Sequence, residues 1–103
     1  FPRRINFGDV DGMVELNGFL ALLEWKCKGK SIPKGQRIFH EVMTRQQKGN
    51  VVFYAFGDAE SMELSSFRLM WNGRLGPSHD GDLTALKHRI REWADWTAAD
   101  IAA

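Results

Sequence analysis

With 103 residues, 44% of them hydrophobic and 12% aromatic, the chain suffices for one small domain with a modest core and is too short for a comfortable two. A formal net charge of +1 excludes a uniformly basic or acidic surface as its means of recognition, and no apolar run approaches the roughly 20 residues of a membrane span. The single cysteine, Cys27, has no internal disulfide partner, which suits a reducing compartment and leads us to expect a cytoplasmic protein.

The chain starts at Phe1 rather than methionine, which suggests a processed or trimmed product. Phe1 to Gly8 (FPRRINFG) reads as a strand end or an arm, with Ile5 and Phe7 alternating and Arg3 and Arg4 solvated. From Asp9 to Lys26 two apolar-rich runs flank Asn17-Gly18, the strongest short-range signal for a two-residue hairpin turn. If Leu16 faces Phe19, the register places Asp11 opposite Glu24 and Asp9 opposite Lys26. Directly paired and next-but-one side chains share a face, so these four charged groups gather on one side of the hairpin. Opposed carboxylates repel, and a divalent cation relieves that repulsion: two hard oxygen donors suit magnesium, which keeps sites for water and a substrate phosphate. A lysine beside them is placed to balance charge on a phosphate.

After a polar loop from Cys27 to Lys30, Ser31 offers an N-cap and Pro33 a first-turn residue for a helix over about 33–48, stopped by Gly49. Its Ile38, Phe39, Val42 and Met43 follow helical spacing and are expected to form the buried stripe, with Gln36 and His40 together on its flank. Between Glu24 and Glu41 there is no acidic residue, whereas Lys26, Lys28, Lys30, Lys34 and Arg37 all fall there. Such a cationic segment can hold a phosphate backbone beside the carboxylates, and it can equally be a solvated loop.

Asn50 to Phe56 (NVVFYAF) reads as a strand buried on both faces, so strand, helix, strand order from Phe19 to Phe56 predicts a βαβ crossover. Met62 to Trp71 reads as a further strand, its apolar pattern interrupted by Ser65 and Ser66 as at a bulge, followed by a second turn at Asn72-Gly73. Arg74 to Gly81 holds too much glycine and proline to promise a partner strand. Asp82 can cap a last helix over 83–98 that buries Leu83, Leu86, Ile90, Trp93 and Thr97. Its charges, Arg91 and Asp95 among them, suit i, i+4 surface pairs. The expected fold class is α/β: a mixed sheet, hairpin followed by βαβ crossover, flanked by two helices.

Asp11, Glu24 and Lys26, with Trp25 between the last two, resemble the PD-(D/E)xK nuclease signature. Gln36 resembles the extra glutamine of the VRR-NUC-like and Holliday-junction-resolvase-like branches. The likeness spans about half the chain; Val10 stands where the family often has proline, and only eight residues precede Asp9 where the family core has a helix and a strand. The resemblance implies a magnesium- or manganese-dependent endonuclease in which Asp11 and Glu24 hold the metal, Lys26 stabilises the charged phosphate and Gln36 assists. Lys28, Lys30, Lys34 and Arg37 would then face nucleic acid, DNA rather than RNA. It also implies that the edge beside Asp9 to Leu16 is covered by a second copy or by residues outside this chain. The alternatives are a non-cutting nucleic-acid-binding accessory protein on the same sheet, or a small protein-interaction domain. No Gly-rich phosphate loop, G-x-S-x-G elbow or zinc-type Cys/His spacing is present.

Overall fold

The Asn17-Gly18 turn forms with both residues at positive φ, 55° and 89°, as the favoured hairpin turn with matching twist requires. It joins β1 (Gly12–Leu16) to β2 (Phe19–Cys27), in the register expected: Leu16 pairs Phe19 and Gly12 pairs Leu23. This computed structural model describes residues 12–58, 60–61 and 63–102, so Asp9, Asp11 and the Phe1 to Gly8 segment lie outside the described residues. α1 (Lys34–Gln46) follows, then β3 (Val51–Asp58), β4 (Glu63–Trp71), two-residue β5 (Arg74–Leu75) and β6 (His79–Asp80), and α2 (Leu83–Ala102).

The strands make one mixed, open sheet in the order β1-β2-β3-β4-β5, with β6 also on β4. β2 and β3 are parallel, joined through α1, and the other pairs are antiparallel. Val51 to Gly57 is buried throughout, as a central strand covered on both faces should be. The expected bulge falls opposite Phe56 and Gly57, where the β3–β4 register shifts. The Arg74 to Gly81 stretch supplies two short strands after all. Their length reconciles the pairing with the intervening Gly76 and Pro77, which cannot prolong a ladder.

Strand parity divides the core. Ala21, Val51, Phe53, Ala55 and Phe67 face α2 and pack on its Leu86 and Trp93. Leu22, Val52, Tyr54, Phe56 and Met70 line the other face, with Met43 of α1 against them. Asp82 caps α2 as expected, accepting the Ala85 N–H at 3.0 Å. The surface pair on this helix is Arg89 with Glu92 at 3.4 Å, three residues apart, instead of one between Arg91 and Asp95.

α1 departs from expectation at both ends and around its circumference. Pro33, not Ser31, occupies the N-cap and makes no side-chain cap bond, and the helix stops at Gln46. Gly49, at φ +109°, closes the next turn, where a Cβ would collide with the rings of Phe19 and Trp96. The stripe expected to be buried is turned outward: Ile38, Phe39 and Val42 are 49%, 59% and 42% exposed, and only Met43 joins the core. His40 and Thr44 are buried in their place.

The hairpin turn is fastened to both helices. Asn17 Nδ2 donates to Thr97 Oγ1 of α2 at 3.2 Å, and Gln47 Nε2 donates to the Gly18 carbonyl at 3.0 Å. Asn50 accepts from Leu20 N–H and donates to the Met43 carbonyl, which ties the end of α1 to the start of β2. Among the described residues β1 is an outer strand of the sheet, with Met13 and Val14 exposed.

Candidate functional site: a polar cluster beneath α1

Alternation along β2 sends Leu22, Glu24 and Lys26 to the α1 face and Leu23 and Trp25 to the α2 face. The chain turns sharply at the end of β2, where Lys30 N–H donates to the Cys27 carbonyl at 3.0 Å and Gly29 adopts φ +82°. α1 therefore begins close to where β2 ends. Gln36, in its first turn, donates from Nε2 to Glu24 Oε1 at 2.8 Å, and Lys26 Nζ lies 3.8 Å from the same oxygen. Two of the predicted site residues thus converge on the carboxylate of a third. Glu24 is only 1% exposed, so the amide and the ammonium, rather than bulk water, face its Oε1.

A second polar pair adjoins the first. Tyr54 is the direct β3 neighbour of Glu24, and Arg68 of β4 is the neighbour of Tyr54, so the three form a row across the sheet. His40 Nδ1 and the Tyr54 hydroxyl are 2.6 Å apart. Burial and then the Lys26 charge lower His40 from 6.5 to about 4, and burial and then the Glu24 charge raise Tyr54 far above its ordinary range. At neutral pH both are uncharged, and the imidazole tautomer decides which of the two donates: the phenol to a bare Nδ1, or Nδ1–H to the phenolic oxygen. Arg68 Nε is bound to the Gly76 carbonyl at 2.8 Å.

His40, expected on the flank of an apolar stripe, is therefore a buried member of this cluster, and Tyr54 and Arg68 had no signal of their own. Pairing by register would have found both, but only once β3 and β4 were placed. Lys28, Lys30, Lys34 and Arg37 are all exposed, and Arg37 is committed to Glu41 at 3.2 Å. Lys28 lines a cleft of about 590 Å³ together with Asp58, Glu60 and Glu63, whose negative potential opposes a phosphate at that point.

Among the described residues no group of three or more His, Cys, Asp or Glu could hold a metal ion. Magnesium is commonly held by one or two carboxylates, with waters and phosphate oxygens completing its shell. Glu24 is a hard oxygen donor of that kind, so the donor chemistry fits to the extent of one carboxylate; Asp11, its expected partner, lies outside the described residues. No family model, curated protein or solved structure matches the chain.

Proposed function

We propose that this chain is a metal-dependent endonuclease acting on nucleic acid, DNA rather than RNA, with a restriction-endonuclease-like core of the PD-(D/E)xK kind. The observation that carries the reading is the meeting of Glu24, Lys26 and Gln36, from two elements, at one carboxylate oxygen. A divalent cation bound by Asp11 and Glu24 would polarise the phosphoryl group and acidify an attacking water. The protein's own part is positional and electrostatic. Gln36 fixes the rotamer of Glu24, and Lys26 supplies a positive charge to a non-bridging phosphate oxygen. In this reading Lys30 and Lys34 contact the backbone of the bound strand.

The test is cleavage of plasmid, branched DNA and RNA with magnesium or manganese. Glu24→Gln and Asp11→Asn should abolish turnover, Lys26→Ala should stop it while retaining metal binding, and Gln36→Ala should slow it. Either metal should raise the melting temperature of the unmutated protein and of Lys26→Ala, and leave the two carboxylate variants nearly unmoved. Undiminished turnover in Glu24→Gln overturns the proposal. The burial of Glu24 favours a second reading, in which the same cluster only seats α1 and the protein binds nucleic acid without cutting. Salt-sensitive DNA binding with no turnover under either metal would select it.

A further inference from the structure

On the opposite face of the sheet from Glu24, a cleft of about 450 Å³ opens between the β4–β5–β6 edge and α2. Its volume lies within the usual range for small-ligand sites. Leu69, Trp71, Arg74, His79, Arg89 and Trp93 are among the residues that line it. Register explains the grouping. Arg74 pairs directly with Trp71 across the Asn72-Gly73 turn, and His79 pairs with Phe67, so these side chains share the α2 face. Trp71 is braced edge-on by Trp96 at 5.4 Å between ring centroids, and Phe67 braces His79 at 5.5 Å.

The chemistry of the walls is specific in combination. An apolar and indole surface accepts a flat ring, whereas two guanidinium groups and an imidazole at the same cleft accept a phosphate. Arg74 makes no ion pair among the described residues. Arg89 has only the exposed, i, i+3 contact with Glu92, a pairing weak enough to yield to a phosphate. Glu92 also lines the cleft and offers an acceptor to a sugar hydroxyl. A simple anion would leave the indole unused, and a purely apolar ligand would desolvate the arginines without return.

We propose that the cleft formed by Trp71, Arg74, His79, Arg89 and Trp93 binds a nucleoside phosphate, its base against the indole surface and its phosphate on the two arginines. The site is separate from Glu24 and does not depend on cleavage there. The source is either a free mononucleotide or the phosphorylated end of a single strand, and the chemistry recognised is the same.

The experiment titrates the full chain with AMP, adenosine, inorganic phosphate, and a short single strand with or without a terminal phosphate, read by tryptophan fluorescence and calorimetry. AMP or the phosphorylated strand should bind saturably, at least about tenfold more tightly than adenosine or inorganic phosphate alone. The Arg74→Ala, Arg89→Ala double variant should lose about tenfold or more in affinity, with its melting temperature nearly unchanged because Arg74 is exposed, Arg89 is half-exposed and neither belongs to the buried core. Glu24→Gln should bind as the unmutated protein does. A preference for AMP identifies the free nucleotide, and a gain confined to the phosphorylated strand identifies a strand end. Absence of saturable binding by either probe, affinity for inorganic phosphate equal to that for AMP, or unchanged affinity in the double variant overturns the proposal.

Discussion

The two helices lie on opposite faces of one sheet and are built on opposite rules. α2 turns Leu86, Trp93 and Thr97 inward and Lys87, His88 and Arg91 to water, the usual amphipathic arrangement. α1 turns Gln36, His40 and Thr44 inward and displays Ile38, Phe39 and Val42. Its seat is a series of directional bonds: Gln36 to Glu24, His40 to Tyr54, and Thr44 Oγ1 accepting the Gly73 N–H at 2.9 Å while donating to the His40 carbonyl at 2.8 Å. Apolar burial contributes stability without fixing angles, whereas buried hydrogen bonds contribute less net energy and define a position closely. α2 thus stabilises the sheet, and α1 orients Glu24.

The comparison breaks most easily at α2. Trp93→Ala empties a core site and removes the indole N–H bond to the Gly49 carbonyl, and it should cost about 3–5 kcal/mol in urea unfolding. A loss below about 1 kcal/mol would show that α2 is not the stabilising face.

Acid should act through α1. His40 is lowered to about 4 when folded and returns to 6.5 when unfolded, so the unfolded chain binds the proton first. Its contribution is complete above pH 6.5 and is lost as pH falls through about 4, at most roughly 3 kcal/mol. Stability profiles of the unmutated protein and of His40→Gln should therefore converge towards the acid end of that window. Parallel profiles would remove His40 from the account.

Smaller effects sharpen the contrast. Thr44→Val keeps the shape but leaves the Gly73 N–H without its acceptor, and should cost about 1–3 kcal/mol. Phe39→Ser, on the outward face of the same helix, should change stability by less than about 0.5 kcal/mol. A larger loss in Phe39→Ser that depends on protein concentration would mean that this face is covered in solution.

Local chemistry alone determined a good deal. The Asn17-Gly18 and Asn72-Gly73 turns, the hairpin register, the buried β3 strand and the Asp82 cap each depend on residues near one another in the chain, and all are legible there. Glu24 and Lys26 sharing a face followed from the two-residue period of a strand. Asp11, the other half of the expected carboxylate pair, lies outside the described residues.

The rotation of α1 about its axis was set by its packing on the sheet. Helical spacing announces two stripes in this segment, an apolar one through Ile38, Phe39 and Val42 and a polar one through Gln36, His40 and Thr44, and the period cannot rank them. The sheet ranks them, because its α1 face carries Glu24, Tyr54 and Arg68 side by side, and buried polar groups require partners that an apolar stripe lacks. That row is assembled from three strands and exists only after β2, β3 and β4 have paired, so no local pattern in α1 could have disclosed which of its faces would turn inward.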